Sequence, residues 1–231
     1  MTSYIFDVDG TLTDARQPID PNFEEFMQEF TKVHTCYICT GSDRPKTIEQ
    51  IGKQLTDKFK KAYHCSGNHV YQNGKEIGKT NWQLSQDEYN FLTEALNNTT
   101  YLEKTGNHIE QRTGTANFSI CGRNVNLTQR QNYVAWEEEN KARKTIAQQF
   151  NKLFPESEAL VAGETSIDIF KKGCDKSQVR HQIKDDIVFF GDKCMIGGND
   201  YALSTLSESF HQINNGWRET YLLLQNFYHN Q

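Results

Sequence analysis

The sequence predicts an α/β protein with a parallel-sheet core and an inserted α+β domain. Strand-like apolar runs alternate with helical periodicity in the first third of the 231-residue chain, and this alternation returns after Gly173. Strands and helices that alternate along a chain form parallel sheets with right-handed crossovers. Between these two segments the order of elements changes. We therefore expect a core made of residues 1–77 and 173–231, and a second domain made of residues 78–172.

The first core segment contains three predicted strands and two predicted helices. The helices have apolar residues at helical spacing, such as Phe23, Met27 and Phe30 in the first of them. The strands are the short apolar runs that separate these helices. The expected order is a strand at 4–8, a helix at 23–32, a strand at 33–40, a helix at 47–55 and a strand at 62–65.

The rest of the chain begins with a hairpin, which the Asn-Gly pair at 73–74 predicts over residues 70–76. In the second domain we expect a helix at 86–96, strands at 109–112 and 116–121, one long helix at 129–153, and strands at 159–162 and 166–170. After that domain we expect a helix at 176–183, a strand at 186–190 and a helix at 217–228.

The composition restricts the classes of partner. The net charge of −5 argues against nucleic acid, because no basic excess is present to neutralise phosphates. No apolar run reaches the roughly 18 residues that a membrane span needs, and no secretory signal is visible. We interpret the six cysteines as core residues in a reducing cytosol, with metal or redox roles as the alternative. These features favour a cytoplasmic protein without a membrane partner.

The end of the first strand carries two carboxylates, Asp7 and Asp9. Because side chains alternate along a strand, residues two apart point to the same side, and Gly10 lets the chain turn after them. Such a pair can hold Mg²⁺, and one acid can attack a phosphoryl group while the other transfers a proton. The alternative is a strand followed by an ordinary Asp-Gly turn, which accounts for Asp9 but not for Asp7.

Polar residues suited to phosphate chemistry also follow later strands. The Ser42 hydroxyl and nearby backbone N–H groups can hold phosphate oxygens, Lys176 can neutralise phosphate and nucleophile, and Asp192 can complete a Mg²⁺ shell. Each feature alone has an ordinary explanation: a helix cap, a solvated lysine or a turn. Ligands of open α/β sheets bind beyond the carboxyl ends of the strands, so the combination indicates phosphoryl chemistry.

The chain resembles the haloacid dehalogenase superfamily, and within it the eukaryotic-type phosphomannomutases, whose Rossmann-like core carries an inserted α+β cap. The resemblance is carried by residues 6–13, 41–43, 189–193 and 197–200. It implies that Asp7 is the nucleophile and that Asp9 is the general acid/base, with Ser42 and Lys176 as further catalytic residues. It also implies that Mg²⁺ is held by the Asp7 carboxylate, the Asp9 carbonyl and Asp192.

Residues 112–123, together with Arg130 and the stretch 163–176, resemble the substrate-binding part of that family's cap. Arginine side chains bind phosphate oxygens bidentately, so several on one surface can hold the non-reacting phosphate of a sugar. For Arg123 and Arg130 the alternative is a solvated strand end and helix start. The substrate-binding residues that the resemblance implies are Arg16, Arg112, Asn117, Arg123, Arg130, Ser166 and Asp168.

The resemblance implies an enzyme that interconverts hexose 6-phosphate and hexose 1-phosphate, with mannose as the sugar. The reaction would pass through an aspartyl-phosphate and a bisphosphate intermediate, with hexose 1,6-bisphosphate as activator and a homodimer formed through the cap. The alternative is a Mg²⁺-dependent phosphatase acting on a sugar phosphate or nucleotide. A third hypothesis, a binding module without activity, conflicts with the presence of Asp7, Asp9, Ser42, Lys176 and Asp192.

Overall fold

The structure is a computed structural model that describes residues 1–229. Its first part is built around a seven-stranded sheet. Its strand order is β11-β10-β1-β2-β3-β4-β5, and the five strands from β11 to β3 are parallel. The strands are β1 (Thr2–Phe6), β2 (Thr35–Cys39), β3 (Lys61–His64), β4 (His69–Gln72), β5 (Lys75–Lys79), β10 (Asp186–Gly191) and β11 (Ser209–Gln212). Because β1 lies between β10 and β2, the carboxyl ends of these three strands meet at one edge of the sheet.

The helices of this part follow the strands in sequence. They are α1 (Pro21–Val33), α2 (Arg44–Ile51), α3 (Lys53–Lys58), α7 (Tyr201–Leu206) and α8 (Trp217–His229). Strand β1 shows how the sheet is buried on both faces, as central parallel strands are. Phe6 packs into a cluster with Phe23 and Phe30, while Ile5 packs into a different cluster with Phe189. The period-2 alternation of β1 therefore supplies a hydrophobic core on each side of the sheet.

The second part contains a four-stranded antiparallel sheet in the order β6-β7-β9-β8. Its elements are α4 (Gln86–Asn98), β6 (Ile109–Arg112), β7 (Thr115–Phe118), α5 (Leu127–Asn140), α6 (Ala142–Leu153), β8 (Ser157–Ala162) and β9 (Ser166–Lys171). One face is apolar: Phe118 and Ile169 pack in one cluster with Leu92, Tyr133 and Phe150 of the helices. Alternate residues of the same strands form a polar face.

The contacts within the chain divide it into two compact units. One unit comprises residues 1–80 and 174–231, and the other comprises residues 81–173. The last two residues of the predicted core segment 173–231 lie outside the described residues. Among the residues that the structure describes, no helix combines the length and the apolar character needed to cross a membrane.

Two predicted helices are broken in the structure. The helix expected at 129–153 is α5 and α6, because Lys141 between them adopts a left-handed conformation (φ 51°). The helix expected at 47–55 begins earlier, at the Asp43 cap, and breaks at Gly52 (φ 73°) into α2 and α3. Residues 176–182 form a 3₁₀ helix rather than an α-helix, and Val33 ends α1 instead of beginning β2. Neither α7 nor β11 was expected.

We expect Phe150→Ala to lower the free energy of unfolding of the second unit by about 3–5 kcal/mol, the range for removing a buried aromatic ring. Phe150 is fully buried, and its ring lies 5.8 Å from that of Phe91. Urea denaturation followed by circular dichroism measures the loss. Leu153→Ala on the same helix is the control, because Leu153 is 59% exposed. Equal losses in the two variants would contradict this packing.

Candidate active site

A buried ammonium group joins two carboxylates at the carboxyl end of the parallel sheet. Lys176 Nζ donates hydrogen bonds to Asp7 Oδ1 at 2.8 Å and to Asp200 Oδ1 at 2.6 Å. Asp7 follows β1, where its backbone N–H bonds the Phe190 carbonyl of β10. All three charged side chains are buried. Since isolated buried charges are strongly unfavourable, these contacts hold the three groups together.

The electrostatics of this cluster favour a further positive charge. Burial, together with the nearby charges of Asp200 and Asp192, raises the pKa of Asp7 to about 8, although the charge and hydrogen bond of Lys176 oppose the shift. Burial also raises the pKa of Asp192, with Asp200 adding to the shift. The carboxylate pair holds the pKa of Lys176 well above its ordinary value, against the opposing effect of burial. The single ammonium group of Lys176 therefore does not fully neutralise the carboxylates around it.

Asp7, Asp192 and Asp200 each offer a carboxylate oxygen, and these three oxygens lie within 4.8 Å of one another. Oxygen ligands at this spacing suit a hard divalent cation. Both oxygens of Asp200 already accept hydrogen bonds, one from Lys176 and one from the Lys193 backbone N–H at 3.1 Å. Asp7 and Asp192 therefore have the greater capacity left for an ion.

Asp9 accepts hydrogen bonds from four donors. The Arg16 backbone N–H (2.8 Å) and Gln50 Nε2 (2.9 Å) reach Oδ1, while Lys46 Nζ (2.8 Å) and Ser42 Oγ (3.2 Å) reach Oδ2. Burial alone would raise the pKa of Asp9, but the charge and hydrogen bond of Lys46, with the bonds from Arg16 and Gln50, lower it below its ordinary value. The resting state of Asp9 is therefore a carboxylate held in one orientation.

The turn after Asp9 requires glycine. Gly10 has a φ of 78°, and an added Cβ would lie only 2.7 Å from Asp192 Oδ2. A side chain at this position would meet both the left-handed backbone strain and the carboxylate of the cluster. Gly10 thereby lets the β1 turn approach Asp192 closely.

The polar face of the four-stranded sheet contains most of the predicted substrate residues. Asn117 and Asp168 face each other across β7 and β9, with Asn117 Nδ2 donating to Asp168 Oδ1 at 2.7 Å. Arg123 Nη1 donates to Asn117 Oδ1 at 3.3 Å. Glu110 Oε2 lies 2.6 Å from Arg112 Nη2 and 3.3 Å from Arg123 Nε. The structure thus brings four of the predicted residues into one connected group.

Arg130, in the first turns of α5, pairs instead with Glu164, at 2.6 Å between Nε and Oε2. The charge of Arg130 still acts on Arg123 of the connected group. Burial lowers the pKa of Arg123, and the charges of Arg112 and Arg130 lower it further. Ser166 is buried at the start of β9, and its carbonyl accepts from Arg143 Nη1 at 3.3 Å.

Several residues of these networks were not among the predicted site residues. Asp200 follows a Gly-Gly-Asn turn after β10, and that position could have indicated it. Lys46 and Gln50 lie four residues apart on one face of α2, directly after Ser42. Glu110 lies two residues before Arg112 on β6, and a strand places such residues on the same side. Only spatial proximity links Glu164 with Arg130.

Comparison with known proteins gives consistent matches. The family model described as eukaryotic phosphomannomutase matches residues 23–227. A phosphomannomutase from Dendrobium officinale is 34% identical over 210 residues, which are 86% of this chain and 83% of the relative. One from Saccharomyces cerevisiae is 32% identical over 215 residues, 87% of this chain and 84% of the relative. A haloacid dehalogenase subclass IIB sugar phosphatase superposes with a TM-score of 0.60 at 17% identity, covering 96% of this chain and 91% of its own. The last match shows the haloacid dehalogenase fold.

Lys46→Gln is expected to lower the free energy of unfolding at pH 7 by about 1 kcal/mol, because the pair with Asp9 is partly exposed. The pKa of Asp9 is lowered in the folded chain, so the stabilisation is present above the unfolded pKa of about 4 and is lost as the pH falls through the lowered value. The difference between the two proteins should therefore shrink in acid.

Urea denaturation at pH 7 and in steps toward about pH 3 measures this difference. Lys184→Gln is the control, since Lys184 is an exposed lysine in the same unit. A deficit for Lys46→Gln that stays constant with pH would show that Asp9 does not gain its stabilisation from Lys46.

Proposed function

The chain belongs to the eukaryotic phosphomannomutase family, and we propose that it interconverts hexose 6-phosphate and hexose 1-phosphate, with mannose as the sugar. One observation supports transfer to a sugar above all others. The polar face of the second unit brings together arginines for a phosphate group and polar side chains for sugar hydroxyls. These residues are connected by hydrogen bonds and ion pairs, and they are Arg112, Arg123, Asn117 and Asp168. The acids of the core can serve either a mutase or a phosphatase.

Asp7 is the proposed nucleophile. Its carboxylate is buried, and Lys176 fixes it by a hydrogen bond to Oδ1. In this proposal the carboxylate attacks the phosphorus of the sugar phosphate and becomes an aspartyl-phosphate. Lys176 and Ser42 contact the phosphoryl oxygens, and Asp200 keeps Lys176 in place through its own hydrogen bond.

The crowded acids fit a Mg²⁺ ion, which would be held by the Asp7 and Asp192 carboxylates and the Asp9 carbonyl. Bound there, it would supply positive charge for the phosphoryl oxygens and for the carboxylates that now raise one another's pKa. The protein's contribution includes the turn at Gly10, which lets the backbone after Asp9 approach the Asp192 carboxylate closely.

Asp9 is the proposed general acid/base. It protonates the leaving sugar oxygen with the proton that it has taken from the hydroxyl that attacks the aspartyl-phosphate. Its lowered pKa favours the second role, because the resting group is a carboxylate. Lys46 donates to Oδ2 and Gln50 donates to Oδ1, so that both oxygens of the Asp9 carboxylate are held and its orientation is fixed.

The second unit is the proposed substrate-binding cap, with residues 78–172 as the predicted bounds. The phosphate that does not react is held by Arg112, Arg123 and Arg130, because one guanidinium group can donate two parallel hydrogen bonds to phosphate oxygens. Asn117, Ser166 and Asp168 bind sugar hydroxyls, and Arg16 contacts the substrate from the core. The reaction uses hexose 1,6-bisphosphate as activator and intermediate, which turns so that either phosphate can meet Asp7. A homodimer through the cap is part of the same proposal.

A coupled assay tests the reaction. With mannose 1-phosphate, Mg²⁺ and a hexose 1,6-bisphosphate, we expect formation of mannose 6-phosphate, and we expect Asp7→Asn to reduce the rate by roughly 10³-fold or more because the nucleophile is lost. Asp186→Asn is the matched control, since Asp186 is exposed and outside the cluster. Release of inorganic phosphate alone, at a steady rate without bisphosphate, would instead identify a phosphatase.

Removal of divalent cations should stop turnover without unfolding the protein. We expect EDTA to abolish activity while circular dichroism is unchanged, and we expect excess Mg²⁺ to restore the rate. Asp192→Asn should raise the Mg²⁺ concentration that gives half-maximal rate by about tenfold or more, because it removes a charged ligand. A rate that persists in EDTA, or an unaltered Mg²⁺ requirement in this variant, would contradict the assignment.

A further inference from the structure

One arginine of the proposed phosphate site is bound to an acid of its own. Arg130 Nε lies 2.6 Å from Glu164 Oε2, and the side chains are 20% and 61% exposed, respectively. Arg130 Nη1 is buried and has no hydrogen-bond partner among residues 1–229. Buried donors normally have an acceptor. The guanidinium group of Arg130 is therefore paired with Glu164 through Nε, and its Nη1 donor is available to an acceptor of a ligand.

The turn that carries Glu164 is firmly held. Arg143 Nη1 lies 3.4, 3.1 and 3.3 Å from the carbonyl oxygens of Ala162, Gly163 and Ser166, respectively. On the other side, Ser119 Oγ donates to the Thr165 carbonyl at 3.0 Å. These hydrogen bonds hold the backbone on both sides of Glu164, while the Glu164 side chain itself is exposed.

Glu164 differs from the other acid of the site. Glu110 is shared by Arg112 and Arg123 and so holds two cations together. Among residues 1–229, Glu164 forms an ion pair with one cation, Arg130, and it is the more exposed acid, at 61% against 37%. Its carboxylate can therefore leave Arg130 by rotation of an exposed side chain, without disturbing a second arginine.

We propose that Glu164 competes with the phosphate group of the ligand for Arg130 and thereby weakens phosphate binding at the cap. This inference rests on the proposed function, in which Arg130 binds the phosphate of a sugar phosphate. An exposed ion pair is weak, whereas phosphate makes stronger, bidentate contacts with arginine, so phosphate displaces the carboxylate. Glu164 thus sets a lower affinity and a faster release of sugar phosphates.

Glu164→Gln tests this role, because it keeps the shape of the side chain and removes its charge. Isothermal titration calorimetry of the full chain in EDTA measures the binding of mannose 6-phosphate and, separately, of inorganic phosphate. We expect the variant to bind both roughly three- to tenfold more tightly than the parent. Glu138→Gln, which removes an exposed charge on α5, is the control and should leave affinity unchanged.

The double variant Arg130→Gln/Glu164→Gln locates the effect. If Glu164 acts on Arg130, the gain from Glu164→Gln disappears when Arg130 is already replaced. Weaker binding by Glu164→Gln, an equal gain in Glu138→Gln, or a gain that survives loss of Arg130 would each overturn the inference. If inorganic phosphate shows the expected gain but mannose 6-phosphate is neither bound nor converted, the competition stands and the proposed sugar substrate fails.

Discussion

The buried ion group of Lys176 with Asp7 and Asp200 is the interaction on which the parallel-sheet unit depends. It joins residues from both segments of the core: Asp7 precedes the inserted unit, and Lys176 and Asp200 follow it. Removing one partner of a buried ion pair leaves an uncompensated charge, at a cost of about 3–5 kcal/mol. The pairing of β1 with β10 places Asp7 in this cluster, because the Asp7 backbone N–H bonds the Phe190 carbonyl. The two chain segments that build the core are thus joined at the proposed active site.

Asp7 and Asp9 lie two residues apart but have different electrostatic environments. Asp7 is buried among other carboxylates, which raise its pKa together with burial, whereas Asp9 is surrounded by donors that lower its pKa. Two acids with opposite shifts can take different roles in one reaction. The crowding around Asp7 favours a bound cation, and the donors around Asp9 favour a carboxylate that accepts a proton.

The second unit also contains charged side chains that form ion pairs within the unit, here arginines paired with glutamates. Glu110 and Glu164 neutralise guanidinium groups on or near the polar face of the sheet. Because burial and neighbouring cations disfavour the charged form of Arg123, these acids lower the cost of keeping several arginines together. A phosphate ligand would replace or supplement the glutamates as counter-charge.

The sequence by itself determined the alternation of strands and helices in the core, the position of Asp7 and Asp9 at a strand end, and the spacing of the arginines, because these depend on local periodicity and motifs. It did not show the break at Lys141, where a lysine adopts a left-handed conformation that no local residue preference indicates. Nor did it reveal the pairing of Lys176 with Asp200 or of Arg130 with Glu164. Only the tertiary structure decided these contacts, because an ion pair depends on distance in space, and residues 24 or 34 positions apart are brought together by strand pairing and turns.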